Sequence, residues 1–162
     1  MGESILNGKR ILAVDDEPDV LTVLQEEIMD ACPTCVFDKA TSFEEAVKLL
    51  ESRPYDIAIL DIMGVKGFDL LEIAVKKKLR AAILTAHALS PEALRRSYEM
   101  KARAYLPKDK LGEIVPFLED ILKYDYDTGW MRLARNLHSF FTERFESDWE
   151  KKTGMPWREW AK

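Results

Sequence analysis

The sequence is short of several things, and each shortage narrows its chemistry. It has two cysteines in 162 residues, both in the run Cys32-Pro33-Thr34-Cys35. A structural zinc site takes about four cysteine or histidine ligands, and no second cluster accompanies this pair. The spacing matches a redox pair. Redox pairs of the thioredoxin kind, however, open a helix after a strand, where the helix N-terminus lowers a thiol pKa. Here the pair falls at the end of an expected helix and the start of a strand, the place of loop and core thiols. No apolar run approaches the roughly 20 residues needed to span a bilayer. Met1 to Asn7 lacks the basic-then-apolar order of a secretory signal, so the expectation is a cytoplasmic chain. Positive charge is also in deficit, with a formal net charge of -5. That argues against direct DNA binding and against an anionic membrane surface, because Lys and Arg make most phosphate contacts. Internal repeats and low-complexity segments are absent as well.

What is present is the composition of a globular domain: 47% hydrophobic and 33% charged residues, enough to bury a core. The length suits one domain with a short appendage. Short apolar runs alternate with amphipathic stretches. Arg10 to Val14 reads as a buried strand, and Pro18 to Asp30 as a helix with Val20, Leu21, Leu24 and Ile28 on one face. Cys35 to Lys39 is a second strand. Ser42 to Glu51 is a helix opened by a capping box, with Glu45 three residues after Ser42. Asp56 to Leu60 is nearly all apolar, as for a strand covered on both faces. Gly67 to Lys77 is helical, Ala81 to Leu84 a strand, Pro91 to Met100 a helix behind Ser90, and Arg103 to Leu106 the last strand. Leu111 to Lys123 closes the pattern as a helix that Pro116 kinks or starts. Such alternation implies an α/β fold with a doubly wound, five-stranded parallel sheet, since parallel strands need crossover helices.

Ligands of an open parallel sheet bind beyond the carboxyl ends of its strands. Those ends carry Asp15, Asp16 and Glu17, then Asp61, then Thr85 with Ala86 and His87, then Pro107 and Lys108. Each alone has a bland reading, as a helix cap or a surface lysine. Together they place carboxylates, a hydroxyl and a lysine on one sheet edge. Crowded carboxylates must take up a proton or bind a cation. All-oxygen ligands favour magnesium or manganese. A carboxylate kept ionised there is a nucleophile for phosphorus, with Lys108 and the metal neutralising phosphoryl oxygens and Thr85 donating a hydrogen bond.

Four stretches carry a resemblance. Ile11-Leu12-Ala13-Val14-Asp15-Asp16-Glu17-Pro18 resembles the opening of response-regulator receiver domains of two-component signalling. Asp56-Ile57-Ala58-Ile59-Leu60-Asp61 resembles their phosphoacceptor strand, and Ile83-Leu84-Thr85-Ala86 the strand with the switch hydroxyl. Ala104-Tyr105-Leu106-Pro107-Lys108 resembles the strand with the switch aromatic and the lysine. The resemblance spans about residues 8 to 123. It implies a flavodoxin-like, chemotaxis-regulator-like receiver over 1–124, with a C-terminal helical extension over 125–162. It further implies Asp61 as phosphoacceptor, with metal ligation by Asp15, Asp16, Asp61 and the Met63 carbonyl. Lys108 would pair with a phosphoryl oxygen, Thr85 would move toward it, and Tyr105 would turn inward. The implied partner is a sensor histidine kinase or a histidine phosphotransfer protein. The chain would then be a phosphoacceptor that promotes its own phosphorylation and dephosphorylation, not a turnover enzyme.

There are departures. The run Asp61-Ile62-Met63-Gly64-Val65-Lys66-Gly67 looks about two residues short for the family and lacks its usual proline. Asp109, not proline, follows Lys108; a cis bond there would cost about 3 kcal/mol. Met63 and His87 occupy the places that flank the path of attacking water. Met63 offers that water no hydrogen bond, so slow self-hydrolysis is expected. A haloacid-dehalogenase-like phosphatase would need an aspartate where Met63 stands.

All four tryptophans lie after Tyr124. Thr128 is expected to cap a helix from Gly129 or Trp130 that carries Leu133, Ala134, Leu137, Phe140, Phe141, Phe145 and Trp149, with a stop at Gly154 and a last turn after Pro156. The stripe breaks the heptad at Arg144 and Asp148, which argues against a long left-handed coiled coil. Basic and acidic residues balance there, unlike a DNA-binding output domain. Two roles remain open for it: folding back on its own receiver, or forming a homodimer or a downstream-partner contact. The competing view of the whole chain is a receiver-like module that works through its aromatic helix without phosphorylation.

Overall fold

The structure is a computed structural model that describes residues 4–86 and 89–160. β1 (Arg10–Val14), β2 (Val36–Ala40), β3 (Ile57–Leu60), β4 (Arg80–Thr85) and β5 (Ala104–Pro107) form one parallel sheet in the order β2-β1-β3-β4-β5. The crossovers are α1 (Pro18–Ala31), α2 (Phe43–Ser52), α3 (Gly67–Lys76) and α4 (Pro91–Glu99), and α5 (Ile114–Lys123) follows β5. The expected doubly wound α/β fold is therefore the one adopted. Right-handed crossovers put α1 on the opposite face from α2, α3 and α4, because only the step from β1 to β2 runs backward across the sheet. In agreement, α1 packs against α5, and α2 against α3. All four residues of β3 are buried, as the apolar run required.

Local chemistry sets the element ends. Ser42 Oγ accepts from the Glu45 amide at 3.2 Å, and Ser90 Oγ from the Ala93 amide at 3.1 Å. β2 starts at Val36, one residue later than expected, because the Cys35 amide closes a turn onto the Cys32 carbonyl at 3.1 Å. Both thiols are unoxidised and buried. Cys35 Sγ donates to the Leu6 carbonyl at 2.9 Å, and Cys32 Sγ to Asn7 Oδ1 at 3.2 Å. The pair thus pins the N-terminal segment to the α1–β2 turn. Burial pushes the Cys35 thiol up to about 12. Pro116 lies in the first turn of α5, behind a 3-10 segment at Lys108–Glu113, where a missing N–H costs nothing.

The C-terminal segment differs from expectation in two ways. α6 (Tyr126–Arg144) begins before Thr128, with Asp125 as its cap; the Asp125 carboxylate accepts from the Thr128 amide at 2.8 Å. It also ends early. Phe145 is extended, and the chain turns before α7 (Trp149–Thr153) and α8 (Trp157–Trp160). Gly154, at φ +64°, closes α7 as a left-handed cap. A helix running straight on to Gly154 would carry Trp149 away from the sheet at 1.5 Å per residue. The turn instead returns Trp149 and Trp157 to Phe141, with ring centroids 5.8 and 6.4 Å away.

α6 packs on α5 and β5, α7 on α4, and α8 on α6. Trp130, Trp149, Trp157 and Trp160 are 0%, 2%, 4% and 9% exposed, so the aromatic stripe folds back on its own chain. It also covers β5, an edge strand whose open side would otherwise invite pairing. No helix among the described residues is long and apolar enough to cross a membrane. The Trp130 indole is wholly buried and donates to the Ala102 carbonyl at 2.8 Å. Trp130→Ala is expected to cost about 3–5 kcal/mol, from lost burial and an unsatisfied carbonyl, read as the drop in urea-unfolding free energy.

Candidate functional site

The strand order reverses between β1 and β3, which opens a crevice at their carboxyl ends. Asp15 follows β1 and Asp61 follows β3. Their amides extend the sheet ladder: Asp15 N–H donates to the Ala40 carbonyl at 3.1 Å and Asp61 N–H to the Val14 carbonyl at 3.0 Å. Backbone bonding thus aims both carboxylates into the crevice. Asp15 and Asp61 are buried, Asp16 is exposed beside them, and one oxygen from each lies within 4.8 Å of the others.

Lys108, directly after β5, reaches into this group with its side chain 8% exposed. Its Nζ lies 2.9 Å from Asp15 Oδ2, 3.3 Å from Glu17 Oε1 and 3.6 Å from Asp61 Oδ2. Burial alone would lower the lysine, but its contacts with Asp15, Asp61 and Glu17 hold it above its ordinary value. Burial raises Asp15 by more than Lys108 and the Glu17 amide lower it. Asp61 is pushed up to about 6, by burial first and then by the charge of Asp15, with Asp16 adding to it and Lys108 opposing. One lysine therefore does not neutralise the acids.

The donor set fits a hard divalent cation. Among the described residues, three carboxylates converge without a thiol or imidazole. Asp15 Oδ2 is buried and receives no hydrogen bond of good geometry, its contact with Lys108 being an ion pair only. A Cβ at Gly64 (φ +82°) would stand 2.1 Å from Asp16 Oδ2, so this glycine leaves the space that the carboxylate uses.

Thr85 ends β4 and is fully buried, paired in register with Pro107 just before Lys108. Tyr105 on β5 is also fully buried; its hydroxyl accepts from the Ser90 amide at 3.1 Å. Burial pushes its phenol up. Met63 is 53% exposed in the turn after Asp61. His87 lies outside the described residues.

Comparison with known proteins identifies the family. Residues 11–118 match the response regulator receiver domain. The chain belongs to that family. A two-component response regulator of Arabidopsis thaliana is 36% identical over 85 residues, 50% of this chain and 13% of that much longer protein. A CheY-like receiver domain protein from Methanospirillum hungatei JF-1 superposes with a TM-score of 0.59 at 27% identity, covering 71% of this chain and 97% of its own. A two-component response regulator of the LuxR family from Aurantimonas sp. SI85-9A1 gives a TM-score of 0.64 at 26% identity, covering 71% and 85%.

Within this receiver, two departures from the family pattern resolve structurally. The turn after Asp61 closes tightly: the Gly67 amide donates to the Ile62 carbonyl at 3.1 Å, and Lys66 is left-handed at φ +55°. A Cβ on Gly67 would meet the Asp61 carbonyl at 2.0 Å. The Lys108–Asp109 bond is trans, and the chain passes straight into the 3-10 segment. Sequence reasoning gave no role to Gly64, Gly67 or the Lys108 contact of Glu17. The glycine spacing after Asp61 was the available signal.

Two outcomes are expected. Gly67→Ala forces backbone apart and costs more than about 2 kcal/mol, seen as a lower denaturation midpoint. Asp61 has a raised folded-state pKa, so the native chain binds more protons than the unfolded one, and stability falls as pH rises from about 4 to about 6. In metal-free buffer Asp61→Asn is therefore more stable than the parent near pH 7, by on the order of 1–3 kcal/mol. The gain shrinks toward about pH 4, where native Asp61 is already protonated. Urea midpoints at both pH values check this; a gain that persists unchanged at low pH would contradict it.

Proposed function

We propose that this chain is a two-component response regulator, its receiver spanning residues 1–124, and that Asp61 accepts a phosphoryl group from a histidine kinase or a histidine phosphotransfer protein. The observation that supports it best is the convergence of Asp15, Asp16, Asp61 and Lys108 at the strand-order reversal. Magnesium or manganese, held by Asp15, Asp16, Asp61 and the Met63 carbonyl, would supply positive charge for the phosphoryl oxygens.

The chain's own residues do the rest. An Asp61 oxygen forms the new bond to phosphorus as the bond from phosphorus to the donor nitrogen breaks, and the leaving imidazole takes a proton. Lys108 stands beside Asp61 to pair with a phosphoryl oxygen, and the Thr85 hydroxyl would move in to donate to another. Met63 presents no polar group to an attacking water, so the acyl phosphate persists for minutes rather than seconds. Output passes through protein contacts, and the balanced charge of 125–162 supports no DNA-binding role. The reading as a phosphorylation-independent module rested on the short turn after Asp61. That turn closes beside both Asp16 and Asp61.

Intact mass after incubation with acetyl phosphate or phosphoramidate and magnesium tests this. The expected result is a gain of about 80 Da, lost in Asp61→Ala and with a chelator. No gain from either donor, or a gain that survives Asp61→Ala, would sink the assignment.

A further inference from the structure

The C-terminal helices grip β5 along its whole length. Before the strand, the Trp130 indole bonds the Ala102 carbonyl at 2.8 Å. In its middle, the Phe141 ring lies against Tyr105, centroids 6.2 Å apart. After it, Arg144 pairs with Asp109 at 2.8 Å, and Lys110 Nζ stands 5.6 Å over the Phe140 ring. Lys108 sits between the gripped positions.

The grip extends to α4. The Tyr105 hydroxyl accepts from the amide of Ser90, the residue that caps α4, while α7 packs on α4 from outside. Tyr126 and Trp130 of α6, with Trp160 of α8, surround Tyr98 of α4 at ring-centroid distances of 5.5, 5.2 and 5.8 Å. On the α5 side, Arg132 pairs with Asp120 at 3.1 Å. Phe141 lies against Tyr105, whose side chain is fully buried.

We propose that α6, α7 and α8 are the built-in partner of the surface formed by α4, β5 and α5, and that their docking and the phosphorylation of Asp61 reinforce each other. This rests on Asp61 being the phosphoacceptor. A phosphoryl group on Asp61 needs Lys108 held beside it and β4 and β5 in fixed register. The docked helices hold the residues on both sides of Lys108 and tie β5 to the start of α4. Docking thus orders the groups that phosphoryl transfer would otherwise have to order. The phosphorylated site keeps that order, so at equilibrium the phosphoryl group favours the docked helices by the same factor as docking favours the phosphorylated state. Phe141 and Arg144 act as positioning residues. With the surface covered by the chain's own helices, signalling operates through how firmly they are seated.

Hydrogen exchange on the full chain, with and without acetyl phosphate and magnesium, tests the coupling. Amides of residues 126–144 should exchange at least about fivefold more slowly in the phosphorylated chain, the low end of ordinary allosteric coupling. Phe141→Leu and Arg144→Ala, which keep the helix and its apolar face, should take up the phosphoryl group correspondingly more slowly and lose that added protection. If the parent gains the phosphoryl mass but exchange in 126–144 is unchanged or faster, and both variants phosphorylate at the parent rate, the coupling is wrong and the Asp61 assignment stands. If the parent gains no mass, the assignment fails and the coupling falls with it.

Discussion

Lys108 is the point on which this structure turns. Its ammonium is within 3.6 Å of carboxylate oxygens from Asp15, Glu17 and Asp61, contributed by the ends of β1 and β3. Two of those carboxylates are buried, where mutual repulsion is weakly screened. One positive charge lets the acids share the crevice but does not offset their burial and the remaining negative charge, which together raise both Asp15 and Asp61. The site is therefore tense by construction, and a further cation or a changed charge on Asp61 alters its balance. Lys108 is the residue after β5, so this charge balance sits at the end of the sheet's edge strand.

The same edge strand supports the second half of the architecture. β5 has a sheet neighbour on one side only, and the C-terminal helices cover the other. The receiver surface completes the aromatic cluster of the C-terminal helices. Tyr98, Tyr105 and the Ala102 carbonyl belong to the receiver, and Trp130, Phe141 and Trp160 to the added helices. The Ala102 carbonyl and the Tyr98 ring find partners across the boundary between the two parts. That mutual dependence is why the two parts meet as a packed core and not as a loose tether.

Much of this was legible from the residues. The alternation of apolar runs and amphipathic stretches requires parallel strands with crossover helices, and strand-end residues of such a sheet share one edge. Asp15, Asp16, Asp61, Thr85 and Lys108 could thus be assigned to that edge from the sequence alone. Ser42 and Ser90 announced their helices because a cap is a local bond between near neighbours. Less legible were features set by close approach of distant backbone. Gly67 is required by the Asp61 carbonyl, and the start of α6 by Asp125 outcompeting Thr128 as a cap.

The sequence by itself determined the sheet, its order of elements and the chemistry of its carboxyl edge, because periodicity and strand ends are local properties of the chain. Only the tertiary structure decided where the tryptophans go. An apolar stripe states that a helix face must be buried, yet not against what. The turn at Phe145, the return of Trp149 and Trp157 to Phe141, and the seating of α6 on β5 are long-range choices. They are made by which surface offers complementary shape and an unsatisfied carbonyl, and that surface exists only once the sheet has formed.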